Sequence, residues 1–237
     1  PFGAEALVRA GSLAAARERG ITLTCVFAHF PGESYTDIPT IHRTCGLVPR
    51  ETRAERIEGM LRQSDVATAL GAPVLAAHIG FIPEDRTSAD YQEIVAAMQR
   101  ICDHCARNGQ KFALETGQET AEALLQFIHD VDRGNLGVNF DPANMLLYGS
   151  GRPLEAVRLL GRYLLGVHAK DGRWPTQPGT LGEETPLGEG EVDFPAFIAT
   201  LKELGYTGPI TIEREISGEQ QIADIRRAIT LLESLRK

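Results

Sequence analysis

Two periods of apolar residues alternate along this chain. Helical patterns, with an apolar residue every three to four positions, are separated by short runs rich in Val, Ile, Leu and Phe. The first helical pattern covers Ala4 to Arg19 and stops at Gly20, and a strand follows over Ile21–Ala28. Thr52 to Leu70 reads as a helix with Ile57, Leu61 and Leu70 on one stripe and Gly71 behind its end. Pro73–Ile79 is the next strand. Ser88 caps a helix running to Asn108, which sets Ile94, Met98, Ile101 and Cys105 at helical spacing. The same beat continues with a strand at Lys111–Glu115 and a helix at Thr120–Val131. A strand at Leu136–Asp141 and a short helix at Pro153–Leu160 come next, then a strand at Tyr163–Ala169. A helix from Asp193 to Leu204, a strand at Pro209–Glu213 and a helix at Glu219–Leu235 complete the chain.

Strands alternating with helices predict a parallel sheet joined by helical crossovers. Neither a linker nor a break in composition interrupts the pattern, so residues 1–237 are expected to form a single domain. Two long stretches follow neither period, His29–Pro49 and Gly172–Val192; irregular segments of that length usually carry binding loops or lids. Six strands are clear, whereas a closed (β/α)8 barrel has eight. One gap falls between Asp171 and Asp193, where a short strand near Thr185–Leu187 fits. The other falls before Pro1, because the chain opens on a helix and without Met. The expected fold is therefore α/β, a (β/α)8 TIM barrel lacking its first strand in this chain. An open doubly wound sheet is the alternative, but it usually has a glycine-rich loop after its first strand, and none is visible.

Composition narrows the function classes. Hydrophobic residues make up 43% and charged residues 24%, ordinary values for a globular protein. The 32 acidic residues outnumber the 24 basic ones, giving a net charge of -8. That balance disfavours nucleic acid and anionic membranes as partners. No apolar run reaches membrane-spanning length and the first ten residues lack a signal-peptide layout, while four cysteines are too few for a disulfide scaffold, so a reduced cytoplasmic compartment is expected. The Cys102–Cys105 pair lies within a helical pattern with no second such pair, and is read as two buried thiols.

Chemistry enters at the strand ends. Glu115, Asp141, His168 and Glu213 each end a strand, on the face shared with small or polar neighbours such as Gly137, Asn139, Gly166 and Thr211. In a barrel that face lines the interior, while Val138, Phe140, Leu165, Val167, Ile210 and Ile212 pack beneath the helices. Three carboxylates converging with one imidazole would repel one another unless a cation joined them. This donor set suits one divalent ion, Mn²⁺, Mg²⁺ or Co²⁺ in preference to Zn²⁺.

These residues sit in five recognisable segments: Ala113-Leu-Glu-Thr-Gly-Gln-Glu119, Val138-Asn-Phe-Asp-Pro-Ala-Asn144, Gly166-Val-His-Ala-Lys-Asp171, Pro186-Leu-Gly-Glu-Gly-Glu-Val-Asp193 and Gly208-Pro-Ile-Thr-Ile-Glu-Arg-Glu215. Together they resemble the sugar phosphate isomerase/epimerase family of the xylose isomerase-like barrel superfamily. The resemblance runs from about Ile21 to the end and specifies no substrate. It implies that Glu115, Asp141, His168 and Glu213 hold one divalent metal. It also implies that Glu115 and Glu213 exchange a proton beside a substrate carbonyl, through an enediolate. A divalent-metal-dependent sugar isomerase or epimerase is the expected activity. A dehydratase of an inosose or dehydroshikimate-like substrate is the alternative, and a non-catalytic sugar-binding barrel is disfavoured by the intact ligand set. The related DNA-repair endonucleases need more histidines at the mouth than this chain has.

Further residues complete the expected site. His78, Asn144, Lys170 and His29 are candidates for substrate contact, each weighed against a structural role; for Lys170 that role is pairing with Asp171 or Glu189. Glu189 is a candidate for orienting His168 from behind. Glu215 shares the parity of Glu213, so a shifted ligand is conceivable, and His42, His104 and His129 are read as surface or helix histidines. The expected partner is a small sugar or polyol-derived molecule, and a homodimer is admitted as the assembly.

Overall fold

The structure, a computed structural model, describes residue 15 and residues 18–236. The helix expected over residues 4–19 lies almost entirely outside the described residues. The strands are β1 (Val26–Phe27), β2 (Val74–Ala77), β3 (Lys111–Glu115), β4 (Leu136–Phe140), β5 (Leu164–Ala169), β6 (Asp171–Arg173), β7 (Glu183–Thr185) and β8 (Ile210–Ile212). The helices are α1 (Ile38–Thr44), α2 (Arg50–Ala69), α3 (Ala89–Arg107), α4 (Ala121–Val131), α5 (Pro142–Tyr148), α6 (Pro153–Leu160), α7 (Phe194–Glu203) and α8 (Glu219–Leu235).

Six strands pair in parallel in the order β1-β2-β3-β4-β5-β8 and curl into a partial barrel. Helices cover the outer face, as the alternation of strands and helices predicts. Local chemistry fixes where many of these helices begin. Ser88, Thr120 and Asp193 each accept a hydrogen bond from the backbone N–H three residues on, at 3.1–3.2 Å. Between sheet and helices runs one apolar layer built on Phe112, Phe127, Phe140, Phe194, Phe197, Ile94, Met98 and Ile101. Cys102 and Cys105 belong to this layer as free, buried thiols. No helix among the described residues is long and apolar enough to cross a membrane.

The irregular stretches hold more structure than their sequence shows. Residues 29–49 contain α1, capped by Asp37, whose carboxylate accepts the Thr40 N–H at 2.7 Å. Behind β4, α5 begins with Asp141 as its cap and Pro142 in its first turn. The candidate barrel strand near Thr185–Leu187 takes another place. Glu183–Thr185 pairs antiparallel with Asp171–Arg173 in a hairpin set apart from the barrel, and β8 lies directly beside β5. A carboxylate holds this hairpin and the following loop together. Asp171 accepts the N–H groups of Gly172, Gly188, Gly190 and Val192 at 2.8–3.1 Å.

One parity expectation is also corrected. The register between β4 and β5 shifts, pairing Val138 with Leu164 but Asn139 with Gly166. The bulge turns Leu165 inward, where it fills the space over Gly137: a Cβ at 137 would stand 2.6 Å from Leu165 Cγ. Leu164 packs instead against the apolar layer. Beyond the bulge the alternation resumes, with Val167 buried in the core and His168 lining the interior.

Candidate metal centre

The C-terminal ends of four neighbouring strands converge. Glu115 is the last residue of β3, Asp141 follows β4, His168 lies in β5, and Glu213 follows β8. Each offers one ligand atom, and the four atoms lie within 4.8 Å of one another. His168 Nδ1 stands 3.0 Å from Glu115 Oε1, 3.5 Å from Asp141 Oδ2 and 2.5 Å from Glu213 Oε2. Among the described residues, Asp141 Oδ2, Glu213 Oε2 and His168 Nδ1 are all buried without a well-formed hydrogen bond. Oxygens and a ring nitrogen aimed at a common point, rather than along N–H bonds, are the arrangement a divalent cation needs.

Electrostatics give the same reading. Burial, together with the neighbouring Asp141 and Glu213 charges, raises the Glu115 carboxyl above its usual range against the pull of His168. Burial opposes charge on His168, but Glu115, Asp141 and Glu213 outweigh it and hold the imidazole well above its ordinary range. Burial likewise works against ionisation of Glu213, yet the close His168 ring and the Lys170 charge bring it down to about 2. Like charges are thus crowded together and favour a proton on His168, a conflict that a seated cation would remove.

Asn139 supports the cluster and carries no signal in the sequence beyond its strand parity. Register places it between Glu115 of β3 and Gly166 of β5. Its Nδ2 donates to Glu115 Oε2 at 2.6 Å and stands 2.9 Å from His168 Nε2. Glu189, expected behind His168, is turned elsewhere: its side chain faces Arg227 at 3.3 Å from the surface loop that Asp171 ties down.

The remaining expected residues divide. Lys170 is buried and faces the cluster, 3.5 Å from Glu213 Oε1, 3.9 Å from Asp141 Oδ2 and 3.2 Å from Glu215 Oε2. It also donates to Asn144 Oδ1 at 3.3 Å, so Asn144 and Lys170 form one unit beside the ligands. Its partners are therefore neither Asp171 nor Glu189. His78, at the end of β2, has a buried Nδ1 with no partner and feels the charges of Lys170, Asp141 and Glu213. Burial and the Lys170 charge keep it neutral, with a pKa lowered to about 4. His29 is not brought to the cluster; its exposed ring pairs with Glu33 at 3.0 Å, because the chain turns outward after β1. His104 and His129 pair with Asp65 and Tyr163 on the helical side.

A rim that the sequence did not announce surrounds the cluster. Tyr35 lies 5.6 Å from His78, and Phe81 stacks on His42 at 3.8 Å and meets Tyr148 edge-on at 5.9 Å. Gln118, on the loop after β3, is buried with its Nε2 unpartnered. Below the cluster, a cavity of about 210 Å³ runs between β1 and β8, lined by Cys25, Phe27, Asn139, His168 and Thr211.

Comparison with known proteins agrees with this geometry. The family described as xylose isomerase-like TIM barrel matches residues 4–235. A crystal structure of a xylose isomerase domain protein from Planctomyces limnophilus superposes with a TM-score of 0.93 at 49% identity, over 96% of this chain and 82% of that one. The chain is 30% identical over 187 residues to the L-ribulose 3-epimerase of Methylomonas sp. (strain DH-1), covering 73% of this chain and 60% of the epimerase. It is 31% identical over 162 residues to an uncharacterized protein of Methanocaldococcus jannaschii, 63% of this chain and 53% of that protein. It thus spans only part of the length of these curated relatives. With six parallel strands, a candidate ligand set at their C-terminal ends and a family match over nearly its whole length, the chain belongs to the xylose isomerase-like TIM barrel family.

Proposed function

We propose that the protein is a divalent-metal-dependent sugar isomerase or epimerase that moves a proton beside a carbonyl through an enediolate. The observation that carries this reading is the convergence of Glu115, Asp141, His168 and Glu213 with three orphaned ligand atoms. A divalent ion held by these four, Mn²⁺, Mg²⁺ or Co²⁺, supplies Lewis acidity that makes the carbon beside a carbonyl easier to deprotonate. Glu115 and Glu213 come from β3 and from the loop after β8, at opposite ends of a four-strand arc. Two carboxylates so placed suit removal of a proton from one face of the substrate and delivery to the other. Lys170 sits where it can balance negative charge growing on a substrate oxygen, and Asn144 holds the ammonium in place. His78 Nδ1 and Gln118 Nε2 are free to meet substrate hydroxyls. The identity with an L-ribulose 3-epimerase supports the same class of substrate.

Incubation with ketoses in D₂O and a divalent metal tests the proposal. Deuterium is expected at a carbon next to the carbonyl, and Glu213→Gln is expected to lower its incorporation by about a hundredfold or more. Loss of water, with a new ultraviolet-absorbing enone, would assign the dehydratase reaction instead. A metal-loaded protein that neither exchanges deuterium with any sugar nor releases water from a ring ketone would overturn both.

A further inference from the structure

Among the described residues, the basic groups that pair with the cluster are already engaged. Lys170 is 3% exposed and faces the carboxylates of Asp141, Glu213 and Glu215, and His168 is enclosed by three carboxylates. Arg214 lies in the chain between Glu213 and Glu215 but is turned away, 2.8 Å from Glu184 and 2.9 Å from Asp224. Asp141, Glu213 and Glu215 therefore share one ammonium, which is already committed to them. With Glu115 counted, Glu215 is the most exposed of the four carboxylates, its side chain 61% exposed. Among the described residues, Tyr35, Phe81, Tyr148 and Gln118 add uncharged groups beside it, and His42, stacked on Phe81, is kept below its ordinary pKa by burial.

We propose that this mouth selects an uncharged, unphosphorylated sugar and rejects the terminal phosphate ester of the same sugar. The inference rests on the isomerase or epimerase reading and names the substrate class within it. A phosphate dianion is normally held by an Arg fork, an uncommitted Lys or a row of free backbone N–H groups. Here an entering dianion would have to take Lys170 from three carboxylates, the most exposed of which is Glu215. A neutral sugar meets no such opposition. Its hydroxyls find the unpartnered Gln118 Nε2 and His78 Nδ1, and its C–H faces find the rings of Tyr35, Phe81 and Tyr148.

The test is calorimetric titration of the metal-loaded full chain with the ketopentoses and ketohexoses, each beside its terminal phosphate ester. At least one free ketose is expected to bind, with its ester about tenfold weaker or worse at low salt. Raising the salt is expected to narrow the gap, since the opposing charge of Glu215 is partly solvated. Glu215→Gln removes the most exposed charge and is expected to narrow the ratio about threefold. An ester that binds as tightly as its free sugar, a ratio unmoved by Glu215→Gln, or a panel in which nothing binds would overturn the inference. Its failure is separable from that of the proposed reaction. Deuterium exchange that favours an ester sinks the substrate class and leaves the reaction standing, whereas selective ketose binding without exchange does the reverse.

Discussion

Gly166 shows how much of the proposed metal centre depends on a side chain that is absent. A Cβ at this position would stand 2.2 Å from Asn139 Oδ1. Asn139 is the residue that touches both Glu115 and His168, so the space at Gly166 is what lets one amide steady two ligands. Gly166→Ala is expected to leave helical content intact and to weaken divalent-metal binding by about 10- to 100-fold, the range seen when groups behind metal ligands are removed. Calorimetric metal titration checks this, and an affinity within twofold of the parent would show that Asn139 does not orient the ligands. The four residues proposed as ligands were legible as a set in the sequence because each ends a strand on the interior face. Asn139 was not singled out, because its role depends on cross-strand register with Glu115 and Gly166, and register is not written in any one strand.

At the level of elements, the strand that carries Glu213 is short and needs outside support. Arg214, the next residue, clamps the loop after β8 to α8 through Asp224 and to β7 through Glu184. The Arg214 hydrogen bond, with help from Arg227 and Gln220, holds the Asp224 carboxyl down to about 2. A carboxyl depressed in the folded state stabilises the fold above its unfolded value of about 4, and that contribution fades as the pH falls toward the folded value. Asp224→Asn is accordingly expected to lower the thermal midpoint by a few degrees at neutral pH. Urea midpoints of the two proteins should then converge between about pH 4 and pH 2, where the parent also loses the charge. A difference that stays constant down to pH 2 would mean that the clamp does not depend on ionised Asp224. Sequence periodicity located α8 and β8 closely, but it could not show this clamp, which joins residues 10 and 30 positions apart.

Across the whole molecule, the proposed metal site would link folding to metal binding. It assembles only when four strands close side by side, so a cation bound there stabilises the folded chain and not the unfolded one. At about a hundred times its dissociation constant, a ligand of this kind adds roughly 2.7 kcal/mol. For a chain of this size that corresponds to an upward shift in melting temperature of about 5–10 °C. Scanning calorimetry with Mn²⁺, Mg²⁺ or Co²⁺ should show the shift, a chelator should reverse it, and Asp141→Ala should abolish it. No shift with any of the three ions would remove the metal from the proposed function. The same convergence places the apolar edges of β1 and β8 on either side of the cavity, where Phe27 and Ile210 are 43% and 36% exposed.

The sequence by itself determined the order of strands and helices, the parallel character of the sheet and the residues that end its strands. These follow from periodicity, caps and glycine stops, which act within a few residues of one another. The tertiary structure alone decided that β6 and β7 leave the barrel as a hairpin, that a bulge turns Leu165 inward, that Asn139 and not Glu189 backs His168, and that Lys170 is shared among three carboxylates. Each of those outcomes rests on contacts between segments far apart in the chain. Packing, register and charge set such contacts only once the strands lie side by side.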